Sequence, residues 1–388
     1  MSLQFITGNS GNGKTKYLFN RIVKEAKANP RDNYLVIVPE QFTMQTQRQL
    51  VDLSENKAIM NIDVLSFKRL AYRVFDELGI TNLTVLEETG KNLVLRKLAA
   101  QEADKLGVIG RNLNRIGYIS EVKSLLSELV QYNISPEELG RYIASGRLSD
   151  TLSDKLKDVL VLYEAFEKFM KDKYITAEEI LNVLSNVAEE SAILRNSVIA
   201  FDEFTGFTPI QNQLIKKLFV ISKKIYVTLT IDCREDIFKS RGMQELFDMP
   251  KRTVKSLTEM AAFYGIEVEE PIILDKNYRL AENEELSFMD QQLFRKRRCS
   301  FKKVPKHIHI DCLRDPKQEL TKIARRINEL VRNENLRYRD IAIVTGDVNI
   351  YAGYVREIFD KYNIPYFIDA TQEILFHPFI EFIRSIPD

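Results

Sequence analysis

The chain has no tryptophan, three cysteines and three histidines in 388 residues. Cys233, Cys299 and Cys312 are scattered without a C-x-x-C pair, which excludes a disulfide framework and points to a reducing cytoplasm. His307 and His309 alternate as residues on one face of a strand would. No thiol or carboxylate at ligand spacing completes a metal site with them or with His377. Neither sign of charge is in surplus: 56 Lys and Arg against 55 Asp and Glu leave a net charge of +1, so no global basic excess advertises nucleic acid. Fifteen glycines and eleven prolines are too few for a collagen-like or low-complexity chain. Apolar runs are short, well under the ~18 residues of a membrane-spanning helix, and no signal-peptide order opens the chain. A hydrophobic fraction of 45% and a charged fraction of 29% remain, as in ordinary globular proteins. At about 150 residues per domain, the length suggests two or three domains.

Strand and helix patterns alternate at first. Residues 1–7 run apolar into a glycine cluster, a helix is expected from Lys14 to Ala28, and Tyr34–Val38 is a continuous apolar run of the kind buried on both faces of a parallel sheet. A helix over Met44–Leu53 and a strand over Asn61–Leu65 follow. From Thr84 to Val187 the texture becomes helical, with Ile119, Val122, Leu126 and Leu129 at helical spacing, and Val159, Tyr163, Phe166 and Met170 after them. Strands return at Ser197–Phe201 and Ile225–Ile231. A third section, from Ile272, carries expected strands at His307–Cys312, Asp340–Thr345 and Pro365–Ile368, with helices at Gln318–Arg332 and Tyr351–Tyr362 between them. The pattern is α/β throughout, apart from the helical stretch.

Chemistry concentrates in Gly8-Asn9-Ser10-Gly11-Asn12-Gly13-Lys14-Thr15, which fits G-x-x-x-x-G-K-[ST] between an expected strand and helix. Glycines let successive backbone N–H groups turn toward phosphate oxygens, and the following helix adds its positive end. Lys14 is placed to reach the phosphates and the Thr15 hydroxyl to ligate Mg²⁺. The expected partner is the strand 198–201, which ends in Asp202-Glu203: Asp202 for the metal, Glu203 to orient and deprotonate a water. Arg295–Lys306 holds seven basic residues in twelve and no acidic one, either a nucleic-acid patch or a solvated linker.

Six blocks in order carry a family resemblance: the P-loop, Val38-Pro-Glu-Gln-Phe-Thr43, Asp63-Val-Leu-Ser-Phe-Lys-Arg69, Phe201-Asp-Glu-Phe-Thr-Gly-Phe-Thr-Pro209, Leu274-Asp-Lys-Asn-Tyr-Arg279, and the run from Asp340 through His377-Pro378-Phe379. Together they resemble the N-terminal, helicase-like part of the B subunits of AddAB/RexAB-type ATP-dependent helicase–nucleases, spanning nearly the whole chain. The resemblance implies a RecA-like P-loop unit over 1–83 and 190–271, an all-helical insertion over 84–189, and an incomplete second RecA-like unit over 272–388. It implies bacterial cytoplasm, ATP and Mg²⁺ as cofactors, an A subunit as heterodimeric partner, and DNA ends and single strands as substrate in double-strand break repair by recombination. It makes Arg279 a γ-phosphate-sensing arginine across the domain cleft, and gives Gln41, Thr43, Ser66, Phe67 and Arg69 to DNA, with Phe67 stacking a base. A nuclease and its iron–sulfur cluster are expected beyond this chain, which has no D…E-x-K constellation or four-cysteine cluster. The chain is therefore expected to be the N-terminal fragment of a longer protein.

Two departures mark it off from superfamily 1 motors. Only seven residues precede Gly8, with Gln4 in the strand itself, so no upstream glutamine reads the base. Asp232-Cys-Arg-Glu-Asp236 stands where Gly-Asp-x-x-Gln is expected, so the coupling glutamine is missing. The combination suggests a protein that binds nucleotide and recognises DNA while its partner pulls. A free-standing P-loop ATPase or phosphotransferase and a scaffold with a relict P-loop are the alternatives.

Overall fold

The computed structural model describes all residues except 82–83, 109, 111–116, 147, 172–173, 296–298, 370–376 and 387–388. The chain forms two compact units, Met1–Arg298 and Cys299–Asp388. The first opens with β1 (Ser2–Gly8), α1 (Lys14–Ala28), β2 (Tyr34–Ile37), α2 (Thr43–Leu53), β3 (Ile62–Leu65) and α3 (Phe67–Leu78). The helical block is entered by β4 (Val85–Leu86) and holds α4 (Glu88–Gln101), α5 (Tyr118–Gln131), α6 (Pro136–Ala144) and α7 (Asp150–Met170); the chain returns through β5 (Ile175–Thr176) and α8 (Ile180–Val187). Then come β6 (Val198–Phe201), α9 (Pro209–Ile221), β7 (Lys224–Thr230), α10 (Asp248–Phe263), β8 (Glu267–Val268), β9 (Ile272–Leu274) and α11 (Glu284–Gln292).

The main sheet runs β3-β2-β6-β7-β1-β8, with β9 also on β1, and the pairings among the described residues are parallel. Alternation along each strand feeds two cores. Phe5, Leu35, Ile199, Phe201 and Val227 face α3, α8, α9 and α10, while Ile6, Tyr34, Val36, Ala200 and Tyr226 face α1 and α2. Both faces are covered, which is why these strands read as unbroken apolar runs. The helical block has its own core around Leu95, Leu126, Leu162, Tyr163 and Phe166. One short parallel pair, Val85 with Ile175 and Leu86 with Thr176, closes its neck, where the sequence suggests only helix. The buried Lys91 ammonium ties the same neck to Glu178 at 2.7 Å and to Glu88 at 3.0 Å.

The division between units falls at residue 298 rather than near Ile272, because β9 is hydrogen-bonded to β1 and stays with the first sheet. In the second unit α12 (Pro316–Asn333) and α13 (Val348–Lys361) pack through Leu320, Ala324, Ile327, Ile358 and Phe359, and α14 (Pro378–Ser385) follows. The strands expected at His307–Cys312, Asp340–Thr345 and Pro365–Ile368 are not formed: among the described residues of this unit no segment enters a ladder. A helix closes its hydrogen bonds within itself, whereas a strand needs a neighbour.

Candidate functional site

β1 delivers Gly8 to the edge of the sheet, and α1 begins at Lys14, so the intervening loop has to reverse within five residues. Gly11 and Gly13 do this with φ of 87° and 80°. Gly8 and Gly11 have no room for a side chain: a Cβ on Gly11 would lie 2.7 Å from both the Arg279 Cβ and the Asn277 Oδ1, and one on Gly8 would lie 2.6 Å from the Leu274 carbonyl oxygen. The loop is thus clasped by 274–279, the segment leaving β9. The Asn12 side chain donates to the Leu274 carbonyl at 2.6 Å, the Asn277 side chain to that of Ser10 at 3.0 Å, and the Tyr278 N–H to that of Gly11 at 3.0 Å. On the other side, the Asn9 side-chain amide donates to Asp290 of α11 at 3.3 Å.

A cavity of about 740 Å³ opens beside this loop, lined by Gly13, Lys14, Thr15, Asp202, Glu203 and Tyr278 among others. The Lys14 ammonium donates to the Gly8 and Asn9 carbonyls, each at 3.1 Å. Burial lowers its pKa, against the pull of Glu203 and Asp202 and with the help of Arg279. Asp202 is buried; its Oδ1 accepts the Thr228 hydroxyl, and its Oδ2 is enclosed with no hydrogen-bond partner. Burial, and secondarily the charge of Glu203, raise the Asp202 pKa despite the Thr228 bond. Glu203 adopts a left-handed φ of 63°, a strained backbone for a side-chain-bearing residue, and its Oε1 accepts the Thr15 hydroxyl at 3.3 Å. A buried carboxylate oxygen left unpaired beside a hydroxyl and a lysine is the donor set of a hard cation next to an anion. The residues present therefore fit Mg²⁺ and phosphate.

Arg279 belongs to this same unit rather than reaching over from another. β9 leaves the sheet beside β1, so Arg279 follows directly onto the P-loop, where its guanidinium donates to the Ser10 hydroxyl at 3.3 Å. Gln4 is spent within the sheet, its amide donating to the Glu270 carbonyl at 3.1 Å. Asp232 is also buried, held by Arg234 at 2.6 Å and by Arg295. Burial alone would raise its pKa, but the Arg234 hydrogen bonds and the charges of Arg234 and Arg295 hold it down to about 2. Most of the basic run 295–298 lies outside the described residues; Arg295 itself is taken up by Asp232 and Glu235.

The five residues assigned to DNA divide. Gln41 and Arg69 are exposed, whereas Ser66 is buried and caps α3, accepting the Arg69 N–H at 3.3 Å. Thr43 is buried, with its hydroxyl donating to the Glu40 carbonyl at 3.0 Å. Phe67 is 7% exposed and packs on Phe201, Phe204 and Phe207 at ring distances of 5.8, 5.6 and 6.3 Å. It is a core residue and stacks no base, because α3 turns it inward onto the sheet. Sequence reasoning did not single out Thr228 or Tyr278 individually. Thr228 was within reach of it: β6 pairs in parallel with β7, Phe201 opposite Val227, so the residue after Val227 flanks Asp202.

Comparison with known proteins identifies the family of the chain. A family model described as "ADDB, N-terminal" matches residues 5–290. Proteins named as the B subunit of an ATP-dependent helicase/deoxyribonuclease are similar over essentially all of this chain. That of Lachnoclostridium phytofermentans is 37% identical over 393 residues, covering 100% of the chain and 34% of the relative. That of Clostridium tetani is 33% identical over 394 residues, covering 99% and 34%. That of Listeria monocytogenes is 33% identical over 390 residues, covering 100% and 33%. The chain spans about a third of the length of these relatives. With the family model matched over more than half its residues, the chain belongs to the ADDB N-terminal family.

Proposed function

We propose that this chain is the nucleotide-binding part of the B subunit of an ATP-dependent helicase/deoxyribonuclease, acting with an A subunit on DNA ends during recombinational repair in the bacterial cytoplasm. The observation that carries the reading is the buried, unpartnered Asp202 Oδ2 in one cavity with Lys14 and Thr15. Lys14 exchanges the Gly8 and Asn9 carbonyls for β/γ-phosphate oxygens, and the N–H groups of the Gly11–Thr15 turn line the phosphates. Thr15 and Asp202 would hold Mg²⁺, which would supply charge neutralisation at the phosphates. Glu203 orients the attacking water and accepts its proton, and Arg279 on Ser10 adds positive charge at the phosphate end. Tyr278, exposed beside Gly13, offers a ring face to the nucleoside.

Gln4 is engaged with the Glu270 carbonyl and Asp232 sits in an ion-pair cluster, so neither of these two side chains serves the nucleotide. The reading combines nucleotide binding at the P-loop with DNA contact through the exposed Arg69 and Gln41. A free-standing phosphotransferase is disfavoured because similarity to these helicase/deoxyribonuclease relatives runs the length of the chain. Thermal unfolding in Mg-ATP and in Mg-GTP tests the reading. Both are expected to raise the midpoint by several degrees, and neither to do so without Mg²⁺. No shift at saturating Mg-ATP contradicts it. Labelled single-stranded DNA should bind at low salt and release as salt rises.

A further inference from the structure

The carboxylate of Glu40, in the loop between β2 and α2, lies on two of the residues assigned to DNA. Its Oε2 accepts the Ser66 hydroxyl and its Oε1 accepts the Arg69 Nε–H at 2.9 Å. The two side chains of the ion pair are 56% and 51% exposed. We infer that Glu40 is a built-in competitor for backbone phosphate: with one oxygen anchored on the buried Ser66, its carboxylate occupies the exposed Arg69 guanidinium that a single-strand phosphate would take, and the phosphate binds by displacing it from Arg69. The inference rests on the reading that Arg69 contacts DNA.

Four points support it. Carboxylate and phosphate are alternative acceptors for the same guanidinium. The first turn of α3 carries Lys68 and Arg69 and no acidic residue, although a helix N-terminus disfavours cations; the local sequence creates a demand for an anion that it does not itself meet. The Ser66 hydrogen bond, with Arg69 and Lys68, lowers the Glu40 pKa, so the carboxylate is charged and competes throughout the neutral range. The pair is also weak enough to exchange: ion pairs at this exposure hold by no more than roughly a fivefold preference.

The test uses fluorescence anisotropy with a labelled oligothymidylate at low salt, on the parent chain, Glu40→Gln, Arg69→Ala and the double variant. Glu40→Gln keeps the size and an acceptor for Ser66. It is expected to tighten binding roughly twofold to fivefold, and the gain is expected to vanish in the Arg69→Ala background. If the parent binds DNA through Arg69 and Glu40→Gln binds no more tightly, or gains equally without Arg69, Glu40 is a structural partner and the inference is overturned. Failure of every form to bind at low salt overturns the DNA reading along with it. Melting temperatures of the four forms, with Glu40→Ala as a second variant, separate loss of fold from loss of binding.

Discussion

Tyr34-Leu-Val-Ile-Val38 and Ile341-Ala-Ile-Val-Thr345 are close to equivalent as strings, yet they have different fates. The first is buried along its whole length, between β3 and β6 and under helices on both faces. The second is extended and unpaired, with Val344 92% exposed and Ile343 44% exposed. The helices beside them do not differ in this way: α1 and α2 pack in the first unit, and α12 and α13 pack in the second. An apolar run encodes the capacity to be a strand, but realising it takes neighbours in register. A helix needs only an apolar stripe and something to lay it on.

The largest effect that can break this comparison is in hydrogen exchange. Amides of β1, β2, β6 and β7 are expected to exchange orders of magnitude more slowly than those of 307–312, 341–345 and 365–368. Equal protection in both sets would mean that the second unit builds a sheet of its own. Truncation sharpens the same contrast. Leu229→Ala, at a fully buried position of β7, should cost about 2–5 kcal/mol in chemical denaturation. Val344→Ala should stay within about 0.5 kcal/mol. A smaller effect concerns the end of β7, where the first unit holds a buried charge. Asp232 titrates at about 2 in the folded chain against an ordinary 3.8, so its stabilising contribution is complete above about pH 4 and is lost as pH falls toward 2. The stability gap between the parent and Asp232→Asn should therefore be widest above pH 4 and close on acidification. A gap that widens on acidification would contradict the assigned role of Arg234 and Arg295.

The same distinction separates what could be read from the sequence from what could not. The P-loop, Asp202-Glu203 and the parallel first sheet were legible because each is local: glycine spacing, a strand ending in carboxylates, and runs buried on both faces. Phe67 was misassigned because a stripe on α3 looks alike whether its aromatic meets solvent or the Phe201–Phe204–Phe207 group. Arg279 was expected over a cleft because its neighbour Leu274 gives no sign that β9 pairs with β1. Glu40 was hidden for the same reason: its partners Ser66 and Arg69 lie 26 and 29 positions away.

The central claim is that Lys14, Thr15 and Asp202 make a working site for a nucleoside triphosphate with Mg²⁺. Isothermal titration of Mg-ATP into the parent chain, Lys14→Ala and Gly11→Ala tests it most directly. The account predicts one site in the parent and at least tenfold weaker binding in both variants. The lysine variant loses the phosphate partner, and the glycine variant forces a Cβ against Arg279 and Asn277 at φ 87°. Equal affinity in all three, or no heat in the parent, would contradict it.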